Sequence, residues 1–263
     1  MNSIYAIYPA LSPLIGIISI PHGGETIPEL FRPYLVNNPR DLQQDIDYRT
    51  YDLLEIAELQ KNGIAVIVSH ISRVCIDLNR PRDKAALHWK ENTFGKPIVT
   101  SDPSSDVTEE MLTHFYDPYY EKLTELIHLA KQQEICSIID FHSMPSKATE
   151  FHLKYNPHQE VSRPDICLSD LKGLSCQSSF IQDLQANLQA RNLNVTINNP
   201  YFGGYLTQYI NEICAFDNIQ VEINRNKYMN EELFSLKEPE AQDLKRILTQ
   251  EITALFKKNT FKL

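Results

Sequence analysis

The chain has 263 residues, a net charge of −9 and a pI near 5.4, with 42% hydrophobic and 22% charged residues. This composition is that of a globular protein and excludes a disordered chain, and the acidic balance with scattered Lys and Arg excludes a basic nucleic-acid-binding face. A chain of this length is expected to form one α/β domain over residues 1–263 and to bury its own core without a disulfide or structural metal.

The start, Met1-Asn2-Ser3-Ile4-Tyr5, lacks the basic and apolar regions of a secretory signal, and no apolar run approaches the roughly 18 residues of a membrane span. A cytoplasmic location without membrane contact is the expectation. Cys75, Cys136, Cys167, Cys176 and Cys214 are odd in number and widely spaced, with no CxxC pair. Reduced cysteines fit best, and a thiolate metal site or redox motif does not.

In chain order, Leu14–Ile20 is short, apolar and rich in isoleucine. It predicts a buried strand that Pro21-His22-Gly23-Gly24 ends in a tight loop. Thr50–Lys61 has helical spacing, with Gly63 as its stop. Ile64–Val68 predicts a second buried strand. Val107–Gln133 predicts a long helix, with Thr108 as N-cap and a break or kink at Pro118. Ile135–Phe141 predicts a third buried strand. Phe180–Asn192 is helical, Val195–Ile197 and Ile219–Ile223 are strands, and Pro239–Lys258 is a C-terminal helix. The irregular stretches Trp89–Ser105 and Phe141–Arg163 are candidate active-site walls. Strands apolar throughout, alternating with helices, imply a mostly parallel sheet covered on both faces, which binds ligands beyond the carboxyl ends of its strands.

Polar residues that carry chemistry gather at those ends. His22 and Glu25 form an His-x-x-Glu pair just after the first strand, and the glycines between them would let both side chains face one point. His142 at the end of the third strand is the natural third ligand. Two imidazoles, one carboxylate and a water make a catalytic rather than a structural zinc site. Asp140, two residues earlier on the same strand face, could accept an imidazole N–H. Glu222 lies inside the apolar strand Ile219–Ile223, where a carboxylate is expensive unless paired or catalytic; the alternative is an edge position facing solvent. Arg73, Asn79 and Arg80 follow the second strand and suit a carboxylate ligand, because guanidinium binds one bidentately. The competing account is an Arg–Asp ion pair with Asp77 closing a turn. Arg225 and Tyr205 are further candidates for the same pocket.

Five segments taken together resemble the N-formylglutamate amidohydrolase family. They are Ser19-Ile20-Pro21-His22-Gly23-Gly24-Glu25, Asp77-Leu78-Asn79-Arg80-Pro81, Asp140-Phe141-His142-Ser143, Asn199-Pro200-Tyr201-Phe202-Gly203-Gly204 and Gln220-Val221-Glu222-Ile223-Asn224-Arg225. They run in the family's order and span nearly the whole chain. The same skeleton is similar to the wider group of zinc carboxypeptidases and aspartoacylase-like deacylases. The resemblance implies a three-layer α/β/α sandwich around a mixed, mostly parallel sheet, zinc-carboxypeptidase-like. It implies one Zn2+ per chain on His22, Glu25 and His142, with Glu222 as general base and Arg73 polarising the carbonyl. Asn79 and Arg80 would clamp the substrate carboxylate. A small anionic acyl-amino acid, N-formyl-L-glutamate above others, is the implied substrate. A deacylase for another N-acyl amino acid, an intracellular metallo-carboxypeptidase and a non-catalytic binding protein on the same fold are the alternatives. A serine hydrolase is disfavoured by the lack of any G-x-S-x-G elbow.

Overall fold

The structure is a computed structural model that describes residues 4–87, 90–133 and 137–260. Trp89, Ile135 and Cys136, which enter the expectations above, lie outside the described residues. The main sheet has seven strands: β1 (Tyr5–Tyr8), β2 (Gly16–Ile20), β3 (Ile64–Ser69), β4 (Ser137–Met144), β5 (Ile166–Ser169), β6 (Val195–Ile197) and β7 (Asn218–Asn224). Their spatial order is β1-β3-β2-β4-β7-β5-β6. Strands β3, β2, β4 and β7 are mutually parallel. Strand β1 runs antiparallel on one flank, and β5 turns against β7 on the other while pairing parallel with β6. The sheet is therefore mixed and mostly parallel.

The helices are α1 (Pro39–Gln43), α2 (Ile56–Lys61), α3 (Ser105–Met111), α4 (Asp117–Lys131), α5 (Glu150–Tyr155), α6 (Ser178–Gln189), α7 (Tyr205–Ile213) and α8 (Glu238–Thr260). Alternation along each strand sends side chains to opposite faces. On one face Ile17, Ala65, Ile67 and Ile138 pack beneath α3, α4 and α7 through Met111, Leu123, Ile127, Leu206 and Ile210. On the other, Ile18, Val66, Ile139, Phe141 and Val221 pack against α2, α6 and α8 through Leu59, Phe180, Leu184, Leu248 and Phe256. Helices thus cover both faces, as an α/β/α layering requires.

The stretch Phe141–Arg163, expected to be irregular, holds the end of β4 and helix α5, and two of the expected helices differ for visible reasons. Residues 50–61 form not one helix but a 3-10 turn at Thr50–Leu53 followed by α2. Between them Leu54 is extended, and the Glu55 N–H donates to Thr249 Oγ1 of α8 at 2.9 Å. A tertiary bond therefore splits a segment whose spacing alone reads as continuous. The long helix over 107–133 does run on, but Ser104 caps it, accepting from the Val107 N–H at 3.3 Å, while Thr108 donates its hydroxyl back to the Ser104 carbonyl. A π-helical stretch at Leu112–Tyr116 precedes Pro118, which falls in the first turn of α4. The wider turn accommodates a ring that would break a regular helix.

Candidate active site

The parallel register places His142 of β4 directly beside Glu222 of β7, and Asp140 beside Gln220. All four therefore point to the face that carries Ile138, but at its carboxyl-terminal end, where the helical cover thins. Thr207 on α7 reaches Asp140 Oδ2 at 3.1 Å and closes that boundary. His22, in the loop after β2, stands next to His142 with ring centroids 4.7 Å apart.

Each imidazole is oriented from behind. His22 donates Nε2–H to Asp77 Oδ1 at 2.7 Å, and His142 donates Nε2–H to Asp140 Oδ1 at 2.8 Å. That leaves both Nδ1 atoms facing inward. Asp47 Oδ2 meets them, 3.0 Å from His142 Nδ1 and 3.8 Å from His22 Nδ1. His22 Nδ1 is buried with no hydrogen-bond partner among the described residues. His22, Asp47 and His142 thus each offer a ligand atom, all within 4.8 Å of one another. Two inward imidazole nitrogens, one carboxylate oxygen and carboxylates bonded to the outer nitrogens form the donor set of a carboxylate-supported metal site.

Asp47 is held as firmly as the rings. Its backbone N–H donates to the His22 carbonyl at 3.1 Å, and its Oδ2 accepts the Ser143 N–H at 3.1 Å. Its Oδ1 accepts from Arg225 Nη2 at 3.2 Å. Burial opposes its charge, but the hydrogen bond and charge of His142 prevail and hold the carboxyl below the usual carboxylate range. Asp77, likewise buried, is held well below that range by Arg73 and His22. Burial, followed by the Arg73 charge, lowers the pKa of His22. His142 moves the other way: burial lowers it, and Asp140 and Asp47 more than offset that. Asp47, Asp77, Asp140 and Glu222 are all buried here, against the guanidiniums of Arg73 and Arg225. His142 shares its imidazole proton with Asp140 and Asp47, and a cation bound between the two rings could take the place of that proton.

His22, Asp77, His142 and Arg225 floor a cavity of about 400 Å³ whose walls include Arg73, Asn79, Arg80, His152, Tyr201 and Glu222. Glu222 is buried, which removes the edge-strand alternative, and its Oε1 accepts from Gln220 Nε2 at 2.8 Å. Burial, aided by Asp47 and Asp140 and opposed by His142 and Arg73, pushes its carboxyl up to about 7. Arg73 donates to Asp77 Oδ2 at 2.9 Å and keeps 19% of its side chain exposed. Arg80 Nε lies 3.4 Å from the same oxygen. The Asp77 ion pairs and the cleft lining are therefore both real. Asn79 Oδ1 accepts the Leu206 N–H at 2.8 Å and so caps α7 from outside. It lies so close that a Cβ on Gly204 would sit 2.2 Å from its Nδ2.

Glu25 is not brought to this point. It is exposed and borders a separate hollow with Ile27, Arg32 and Leu42. The reason lies in the glycines: a Cβ on Gly24 would come within 2.3 Å of the His70 backbone, and this close approach steers the following residues along Ile71 and Ser72, just beyond β3, and away from the cleft. Asp47 occupies the position expected of Glu25. Tyr205 also faces elsewhere, among Tyr120, Tyr209 and Arg82 on the α4–α7 surface. Arg225 is at the site, but it spends donors on Ser143 Oγ, the Gln44 carbonyl and Asp47. It positions Asp47.

A profile of the N-formylglutamate amidohydrolase family matches residues 14–229. The chain belongs to that family and is a hydrolase. It is 28% identical to the N-formylglutamate deformylase of Pseudomonas putida, over 97% of this chain and 96% of that protein. The deformylase of Pseudomonas aeruginosa strain PAO1 is 26% identical, over 82% of each. A solved N-formylglutamate amidohydrolase from Ralstonia eutropha JMP134 shares the fold with a TM-score of 0.86, at 22% identity, over 98% of this chain and 99% of that one.

In this amidohydrolase the sequence reading missed Asp47, and it gave no role to Gln220 and Tyr201 within the matching segments or to His152 within the candidate wall Phe141–Arg163. Asp47 lies two residues from a second buried acid, Asp45, and no local pattern separates the two. Among the described residues, no helix is long and apolar enough to cross a membrane.

Proposed function

We propose that the chain hydrolyses the amide of N-formyl-L-glutamate to formate and L-glutamate at a divalent-metal centre held by His22, Asp47 and His142. The observation that carries this reading is the convergence of two imidazole Nδ1 atoms on Asp47 Oδ2, with each Nε2 bonded to its own buried carboxylate. Such a nitrogen and oxygen donor set suits zinc. When bound, the metal supplies Lewis acidity, which makes water nucleophilic near neutral pH and polarises the amide carbonyl.

The chain's own residues do the rest. Glu222, poised near pH 7 by burial, takes the proton of the attacking water and delivers it to the leaving nitrogen. Arg73 faces the charge that develops on the carbonyl oxygen, already fixed in place by Asp77, so little reorganisation is needed. Asn79 and Arg80 hold a substrate carboxylate and set the amide against the floor of the cleft. Arg225 and Ser143 keep Asp47 turned towards the two rings.

The test is formate release from N-formyl-L-glutamate by purified protein supplied with zinc, with a chelator-treated control. Release that requires the metal is expected. A folded protein that binds one zinc per chain and releases no formate rejects the substrate.

A further inference from the structure

The arginines that hold the cleft floor already face carboxylates: Arg73 and Arg80 meet Asp77, and Arg225 meets Asp47. Arg163 does not. It is only 8% exposed. Among the described residues no carboxylate lies within 4.0 Å of its guanidinium, and its Nε has no hydrogen-bond partner. Nη2 reaches Gln159 Oε1 at 3.3 Å, Nη1 reaches the Met144 sulfur at 4.0 Å, and the guanidinium also bonds to the side chain of Tyr201. A buried cation without a counter-ion is costly, and such a cost persists where an anion arrives with a ligand.

What lies between Arg163 and the cleft is Tyr201. The guanidinium carbon stands 4.8 Å from the centroid of its ring, in cation–π contact. Tyr201 and His152 both line the cleft. The Thr149 N–H donates to His152 Nδ1 at 3.1 Å, so a neutral His152 carries its proton on Nε2, which faces Tyr201 Oη at 3.4 Å. Burial, then the charges of Arg163, Arg225 and Arg73, push His152 down to about 4 and keep it neutral. Every charge that acts on this imidazole is cationic. Burial keeps the Tyr201 phenol protonated. With a donor behind its oxygen, Tyr201 directs its own proton away from His152.

We propose that Tyr201, positioned by His152 and backed by the charge of Arg163, is the subsite for the second carboxylate of the substrate, the one that Asn79 and Arg80 do not hold. It selects acidic over neutral N-acyl amino acids. The inference rests on the reading that an N-acyl dicarboxylate is the substrate. Two anion sites in a cavity of about 400 Å³ suit a small molecule gripped at both ends. Tyr201 touches the substrate, whereas His152 and Arg163 act through it.

The test compares N-formyl-L-glutamate with N-formyl-L-glutamine, which has the same length and lacks the second charge. In the zinc-loaded enzyme, Tyr201→Phe should raise KM for the glutamate substrate by about tenfold or more, as expected for loss of a hydrogen bond to an ionised group. Its kcat should stay within about twofold, and KM for the glutamine substrate should rise clearly less than KM for the glutamate substrate, because the carboxamide loses only a neutral hydrogen bond. Arg163→Met should act in the same direction, and Arg163→Lys should restore part of the preference. An equal fall in kcat on both substrates would overturn the subsite, because Tyr201 would then serve the reacting amide. Calorimetry with L-glutamate and L-glutamine reads the same site without turnover. Wild type that prefers glutamate, with the preference lost in Tyr201→Phe, supports the subsite even if no N-formyl amino acid is hydrolysed, which would sink the proposed reaction instead. Equal affinity of wild type for the two amino acids overturns the subsite whatever the enzyme hydrolyses.

Discussion

Ile138 and His142 lie on the same face of β4, four residues apart, and their surroundings have nothing in common. Ile138 is sealed in an apolar cluster beneath α4 and α7. His142 is sealed among Asp47, Asp140 and Glu222. Burial is nearly complete in both places, so burial alone does not distinguish core from site. The difference is the sign of its energetics. Apolar burial stabilises by roughly 25 cal/mol per Å² removed from water. Burial of a charge costs several kcal/mol unless a partner offsets it. The carboxyl-terminal end of the sheet therefore spends stability that its apolar half supplies, and Thr207 on Asp140 marks the line between them.

Breaking the charged end should cost activity first. Asp47→Asn should have the largest effect. It removes one inward ligand and leaves buried Arg225 without its counter-ion, so zinc content should fall well below one per chain and formate release should disappear. Elemental analysis of the purified variant decides it, since a full zinc complement would remove Asp47 from the metal site. Glu222→Gln comes next. It keeps shape and metal but removes the proton acceptor, so kcat should drop on the order of 10²–10⁴-fold at unchanged zinc content. Near-normal turnover would show that another group moves the proton.

The apolar end should give the opposite pattern. Ile138→Ala, in a fully buried setting, should destabilise by about 2–5 kcal/mol in urea unfolding while the folded fraction keeps its kcat. A kcat that falls with stability largely intact would mean that the two ends are mechanically coupled. The charged end also leaves a pH signature. Glu222 has a folded pKa of about 7 against an ordinary 4.5. Between those values the folded chain holds a proton that the unfolded chain has released, so stability falls as pH rises through that window. The loss reaches roughly 3 kcal/mol at most. In metal-free protein, Glu222→Gln should therefore gain in Tm over wild type from pH 5 to pH 8. Parallel Tm curves would contradict the raised pKa.

The contrast between the two ends also governs how much could be read beforehand. Apolar runs revealed β2, β3, β4 and β7, because strands buried on both faces have few ways to be written. Strand β7 showed more: a carboxylate at Glu222 inside the apolar run Ile219–Ile223 marked a residue that is costly to bury without a partner or a task. Three-residue β6 was also read, whereas edge strand β1 and antiparallel β5 were not. Asp47 was lost for a reason of its own. Spacing places Glu25 near His22 along the chain, but proximity in sequence does not survive the steering of Gly24 against the His70 backbone. Asp47 reaches His22 only through a loop closed by tertiary hydrogen bonds to the His22 carbonyl and the Ser143 N–H. No local pattern encodes such a closure.

Arg80 sits between the two regimes and sharpens the comparison most finely. It is 41% exposed, and its contact with Asp77 is long at 3.4 Å. Solvent screens such a pair, so it contributes little to stability. Asp77 also keeps its stronger bonds to His22 and Arg73 if Arg80 is removed. Arg80→Ala should therefore leave Tm almost unchanged and leave kcat within about twofold, while KM for N-formyl-L-glutamate rises by about tenfold, as loss of one charge-assisted contact to a carboxylate implies. Steady-state kinetics and a melting curve on one preparation separate the two effects. If KM is unchanged and Tm falls, Arg80 does no more than close the turn with Asp77, and the cleft must take its substrate carboxylate by Asn79 and the amino-terminal end of α7 alone.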